Sequence, residues 1–194
     1  GYRSGFSKSN EKGSPGYYSV ILDDYGIRAE LTATTRAGFH RYTFPESDES
    51  GMIIDLDHTL QSHENLLLRI KVISDTEIEG VKITRGWAKY HPVYFYAEFS
   101  KPFSYVLAVN NVPDSSLKEA EGRNLKALIS FGTAKDEQVL VKVGISSVDI
   151  EGARNNVVTE IPGWDFEKVR CQAQEAWDRE LGKIKVEGGT DDQK

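Results

Sequence analysis

Between residues 17 and 148 apolar and polar side chains alternate with a period of two. Ile27, Ala29, Leu31 and Ala33 are interleaved with Arg28, Glu30, Thr32 and Thr34, the pattern of a strand with one dry face and one wet face. Val93, Phe95, Ala97 and Phe99 repeat it against Tyr94, Tyr96 and Glu98, as do Val139, Val141, Val143 and Ile145 against Gln138, Leu140, Lys142 and Gly144. Shorter apolar runs at 17–22, 39–44, 51–56, 67–74, 78–83, 105–109 and 127–131 bring the total to about ten predicted strands. Asp23-Asp24-Tyr25-Gly26 separates two runs as closely as a hairpin turn does, because Asp and Gly tolerate the positive φ of tight loops.

Short polar connections with no helix between the strands exclude parallel pairing, whose crossovers need a dozen or more residues. About ten antiparallel strands, each with one apolar face, bury those faces most simply as two stacked sheets. The chain is therefore predicted to be mainly β, an antiparallel β-sandwich over 1–147. The period then changes. Ile150, Ala153, Val157 and Ile161 recur at spacings of three and four, stopped by Pro162-Gly163, which predicts a short helix within 148–161. Asp165 is the natural N-cap of a second, longer helix with a stripe of Phe166, Val169, Ala173, Ala176 or Trp177, Glu180 or Leu181, and Ile184. A stripe with a Phe and a Trp calls for a partner, on the sandwich or elsewhere. Residues 148–194 read as helical connector, ending from Gly188 in a frayed or linker-like tail.

Charge and composition narrow the classes of function. The 194 residues carry 24 Lys and Arg against 30 Asp and Glu, a net charge of −6. No basic stripe suited to nucleic acid is present. The longest apolar run, 65–73, is interrupted by Arg69 and Lys71 and falls far short of the roughly 20 residues of a membrane span. The single cysteine, Cys171, excludes an internal disulfide framework and a multi-cysteine zinc site.

Local catalytic signatures are missing: there is no nucleophile elbow, phosphate-binding loop, zinc-protease helix or EF-hand. His58 and His63 fall in a polar stretch, 57–65, read as an exposed loop. The carboxylate pairs Asp23-Asp24, Asp55 with Asp57, and Asp191-Asp192 have the type needed for glycosidic cleavage. Each, however, sits at a turn or tail, where aspartates mainly serve backbone hydrogen bonds. Trp87, after Gly86 at a strand end, could stack on the apolar face of a pyranose; core packing is the plainer alternative. His40, Arg41 and Glu11 are candidates for reading a hydroxyl or orienting a loop, with inter-strand hydrogen bonds and ion pairs as the alternative.

Longer strings carry more information than any of these. Ser14-Pro15-Gly16-Tyr17-Tyr18-Ser19-Val20, Ala29-Glu30-Leu31-Thr32-Ala33-Thr34 and Gly38-Phe39-His40-Arg41-Tyr42-Thr43-Phe44-Pro45 resemble the N-terminal domain of glycoside hydrolase family 92, the bacterial α-1,2-mannosidases. Ala97-Glu98-Phe99-Ser100-Lys101-Pro102-Phe103, residues 141–148 and Glu160-Ile161-Pro162-Gly163-Trp164-Asp165-Phe166 follow in the same order. The resemblance implies a β-sandwich preceding a larger (α/α)6 barrel. It also implies a calcium-dependent, inverting exo-α-mannosidase acting on mannose-rich glycans, exported to the periplasm or cell surface. In that reading the catalytic carboxylates and calcium ligands come chiefly from the barrel, so no catalytic or metal residue is expected in this chain. Trp87, with His40, Arg41 and Glu11, would be its contribution to substrate binding. The chain looks like an excised piece, without the segment that precedes these strings in the family. Phe6-Ser7-Lys8 stands where members tend to have Phe-Ser-His, so a role resting on that histidine does not transfer. A free-standing carbohydrate-binding module and a structural interaction domain are the other classes compatible with a sandwich and exposed aromatics.

Overall fold

The computed structural model describes residues 3–59 and 63–193. Among the described residues, thirteen strands and two α-helices are arranged in three layers. The strands are β1 (Lys12–Ser14), β2 (Tyr17–Leu22), β3 (Ile27–Ala33), β4 (Ala37–Phe44), β5 (Ser47–Asp55), β6 (Glu64–Val72) and β7 (Glu77–Arg85). They continue as β8 (His91–Phe99), β9 (Ser104–Val109), β10 (Val112–Asp114), β11 (Glu119–Glu121), β12 (Lys126–Thr133) and β13 (Glu137–Ser146), followed by α1 (Ile150–Glu160) and α2 (Phe166–Leu181). One sheet has nine strands in the order β1-β2-β3-β4-β13-β8-β7-β6-β11, and the other has four in the order β10-β9-β12-β5. All pairings are antiparallel, so the sandwich and each of the ten predicted strands are observed. The three strands that the pattern did not predict, β1, β10 and β11, have three residues each and mostly exposed side chains.

The inner faces of the sheets meet in the main core. Phe44, Leu68, Ile70, Ile78, Phe99, Val139 and Val141 from the large sheet pack on Leu107, Ala127, Ile129 and Phe131 from the small one. Phe44 and Phe131 touch edge to face at 5.4 Å, a favoured ring geometry. The turn at Asp23-Asp24-Tyr25-Gly26 joins β2 to β3 as predicted, with Gly26 at φ +63°.

The outer face of the large sheet departs from the expected pattern. The residues assigned to wet faces include Glu30, Thr32, Tyr96 and Lys142, and all four are buried. The cause is the third layer: α1 and α2 lie across this face and form a second core of Ala37, Phe39, Tyr96, Ala153, Val157, Ile161, Phe166 and Val169. Its long polar residues are accommodated by stacking cations on rings. Lys142 Nζ sits 3.8 Å from the Trp164 centroid, Arg41 4.3 Å from Phe166, Arg154 4.2 Å from Tyr96 and Arg170 3.9 Å from Tyr17, all within cation–π range. Close approach of α1 requires Gly144: a Cβ there would lie 2.1 Å from the Ala153 carbonyl oxygen.

Both helices start on an aspartate N-cap. Asp149 accepts a hydrogen bond from the Gly152 amide at 2.6 Å, and Asp165, the predicted cap, accepts one from Lys168 at 2.9 Å. The long apolar stripe is only half used. Phe166 and Val169 are buried, whereas Trp177 and Leu181 are exposed; Ile184, expected on the same stripe, lies past the helix, which ends at Leu181 on a Gly182 C-cap, and is exposed too. Among the described residues no helix is long and apolar enough to cross a membrane.

Candidate functional site

Trp87 lies in the turn between β7 and β8 and is 98% exposed, which overturns the core-packing alternative. The turn is short and braced. Gly86 N–H donates to the Ala88 carbonyl at 3.0 Å, and Arg85 Nε donates to Glu64 Oε2 at 3.1 Å across the β6–β7 pair. The His63 ring lies against Gly86, where a Cβ would come within 2.1 Å of it. Tyr90, 60% exposed, stands on the same turn and was not singled out in the sequence. Exposed aromatic rings such as these are of the type that stacks on a sugar face.

The remaining predicted site residues do not join Trp87. His40 and Arg41 are adjacent in β4 and therefore project from opposite faces of the sheet. His40 Nδ1 is 3.1 Å from the Tyr42 hydroxyl, with the rings edge to face. Burial holds the His40 imidazole below its ordinary value and pushes the Tyr42 phenol up to about 12. Glu11 follows a one-turn 3₁₀ segment, Lys8–Asn10, and pairs with Lys8 while accepting from the Tyr18 hydroxyl at 2.8 Å. These two bonds lower its carboxyl.

Arg41 belongs to a network on the outer face. Its Nε and Nη2 donate to Glu30 at 2.8 and 2.7 Å, and Nη2 reaches Glu167 of α2 at 2.8 Å. The Tyr17 hydroxyl donates to Glu30 Oε1 at 2.6 Å. Desolvation pushes the Glu30 carboxyl up, but the bonds from Arg41 and Tyr17 and the charges of Arg41 and Arg28 outweigh it and hold the group below its usual range. The sequence pattern missed this network because Glu30 reads as a solvent-facing residue until α2 is placed over it.

Three of the candidate carboxylates, Asp24, Asp55 and Asp57, accept backbone amides. Asp24 Oδ2 accepts from the Gly5 amide at 3.0 Å. Asp55 Oδ1 accepts from the amides of Asp57 and His58, and Asp57 Oδ1 accepts from Asn124 at 3.3 Å. Asp191 and Asp192 fall in a terminal 3₁₀ turn. Residues 60–62 of the predicted polar loop and Lys194 of the tail lie outside the described residues. Among the described residues no three His, Cys, Asp or Glu side chains are grouped so as to hold a metal ion.

Residues 1–146 match the family model described as the Glycosyl hydrolase family 92 N-terminal domain. The chain belongs to glycosyl hydrolase family 92. Residues 152–194 match a second model, the Glycosyl hydrolase family 92 catalytic domain, so α1 and α2 fall almost entirely within a match to the catalytic part of the family. The family GH92 alpha-mannosidase BT3965 from Bacteroides thetaiotaomicron is 39% identical and superposes with a TM-score of 0.91 over 97% of this chain and 26% of its own. The family GH92 inverting mannosidase BT2199 from Bacteroides thetaiotaomicron VPI-5482, 24% identical with a TM-score of 0.85 over 97% of this chain and 25% of its own, shares the fold. An uncharacterized secreted glycosidase of Arthroderma benhamiae is 28% identical over 92% of this chain and 26% of its length. This family 92 chain thus spans about a quarter of the length of the relatives it matches.

Proposed function

We propose that the chain is a non-catalytic N-terminal portion of an exported exo-α-mannosidase that hydrolyses mannose-rich glycans with inversion and depends on calcium. The observation that carries this reading is its 39% identity, along 97% of its length, to a family 92 alpha-mannosidase. Inversion needs an acid and a base about 6.5–9.5 Å apart with a water between them. That pair, and the calcium ligands, are assigned to the remainder of the enzyme, an (α/α)6 domain. The secreted fungal relative supports export.

Within this division of labour the chain has two tasks. Its C-terminal helix and the turn that follows dock the remainder through Trp177 and Leu181 of α2 and Ile184 just past it, apolar side chains left exposed here. Its β7–β8 turn presents Trp87 as a stacking wall for a mannosyl ring. The test is the full-length enzyme carrying Trp87→Ala. Stacking of about 0.5–1.5 kcal/mol corresponds to a roughly two- to tenfold rise in KM, with kcat retained. Unchanged KM and kcat remove Trp87 from the site. The isolated chain is expected to release no mannose and to give no calorimetric heat with mannosides. Mannose release at an enzymatic rate would overturn the assignment, and saturable heat would favour a free-standing carbohydrate-binding module.

A further inference from the structure

A cleft opens on the outer face of the large sheet, toward the end opposite the Trp87 turn. It has a volume of about 560 Å³ and is lined by Lys12, Tyr17, Arg28, Glu30, Arg41, Thr43, Asp136, Gln138 and Arg170, a size suited to a small ligand. Its floor is built by strand register. Lys12 pairs with Ser19, Ser19 with Glu30, and Glu30 with Arg41, giving one cross-strand row; Arg28, Thr43 and Gln138 form the next. Arg170 of α2 closes one side, and Asp136 contributes from the β12–β13 turn.

The polar groups divide into spent and unspent. Glu30 is saturated by Arg41 and Tyr17, and its separation from Arg28 is 3.9 Å. Glu167, behind the cleft, takes up Arg41 and Arg170. Among the described residues, the side chains of Lys12, Thr43, Asp136 and Gln138 make no hydrogen bond or ion pair, and Arg28 has only the long contact to Glu30. What remains is a pair of cations, Lys12 and Arg28, beside one carboxylate, one amide and one hydroxyl.

We propose that this cleft binds a sugar ring bearing an oxyanion, a phosphate ester or a uronate carboxylate. Lys12 and Arg28 meet the oxyanion with charge-assisted hydrogen bonds. Asp136, Gln138 and Thr43 meet ring hydroxyls, which a carboxylate accepts from and a bare anion cannot supply. Asp136 disfavours an unsubstituted ion, so the cleft selects for a polyol that carries its charge at one end. The site is separate from Trp87 and does not depend on the mannosidase reading.

The test is an NMR titration of the 194-residue chain with glucose 6-phosphate, glucuronate, glucose and inorganic phosphate, following the amides of Arg28, Thr43 and Gln138. One or both acidic sugars are expected to bind saturably, and which one binds assigns the oxyanion. A double variant, Lys12→Ala with Arg28→Ala, is expected to weaken that binding at least about tenfold, as loss of a charged hydrogen bond does. Trp87→Ala leaves it unchanged. Both replaced residues are exposed, and an unchanged amide spectrum elsewhere establishes that the variant is folded; if it is not, Arg28→Gln alone gives the same reading. The proposal is overturned if neither acid binds, if glucose binds as tightly as the acids, if inorganic phosphate matches glucose 6-phosphate, or if the substituted chain binds undiminished.

Discussion

Glu30 sits beneath α2 with a 5% exposed side chain, held by two bonds from Arg41 and one from Tyr17. Replacing it with Ala leaves Arg41 under the helix without its principal counter-charge, and breaking a partly buried pair in this way costs roughly 3 kcal/mol. Urea denaturation of Glu30→Ala is expected to show that loss. Acid should act on the same group. The folded Glu30 carboxyl is held below its unfolded value, so its contribution is complete above about pH 4.3 and is lost as pH falls through the lowered folded value. Glu160 behaves alike: desolvation raises it, but bonds from Thr34 and from the amide of Arg36 and the Arg36 charge prevail. His40 adds to the trend at higher pH. Burial lowers its folded value, so the unfolded chain takes up a proton first and stability declines as pH drops below about 6.5. Thermal melts from pH 7.5 to 3 should therefore show a shallow loss near pH 6 and a steeper one below pH 4. Trp87→Ala, with nothing packed on its ring, is expected to shift stability by less than about 0.5 kcal/mol.

At the scale of elements, register and cover together decide which residues are buried. The period-two runs of β3, β8 and β13 located those strands because each has one apolar face, from which Ala97, Phe99, Val139 and Val141 enter the main core and Ile27 packs at its margin. The same runs misread the outer face. Glu30, Thr32 and Lys142 are polar, yet buried by helices whose sequences lie more than a hundred residues downstream of β3; no local window contains that information. The N-cap at Asp165 was legible because capping is a local interaction, and the exposure of Trp87 was not, because a glycine turn leaves the direction of its neighbour open. Arg41, His40 and Trp87 all occur at the predicted kinds of position, but strand alternation and turn geometry keep them apart. The dependence of α1 on Gly144 can be measured. Gly144→Ala forces a methyl against the Ala153 carbonyl and Val157. It is expected to lower stability by about 1–3 kcal/mol, as overpacking does, with hydrogen exchange in α1 speeding up more than in β9 or β12.

The whole molecule presents two unequal ends. The sandwich has a continuous buried core, whereas α2 and the turn after it leave Trp177 51% exposed, Leu181 54% and Ile184 79%. In isolation that stripe should drive self-association at high concentration. Sedimentation of the chain is expected to show a concentration-dependent mass, and Leu181→Glu combined with Ile184→Glu to give a monomer. A monomer without these changes would indicate that the stripe is covered by the chain's own terminal residues.

The place of β13 in the large sheet has a further consequence. β2, β3 and β4 form one ribbon by consecutive hairpins, and β6, β7 and β8 form another; only β13 joins the two, pairing with β4 on one side and β8 on the other. It is also the last strand, so Phe44 must wait for Glu137, its register partner. During synthesis two hydrophobic half-sheets emerge from the ribosome with their seam unstitched, and the loop-closure entropy is met only when the final strand arrives. Nascent chains stalled before that strand would be the ones captured by chaperones, and a small delay in translating the codons for residues 137–146 would lengthen the interval of exposure for everything upstream.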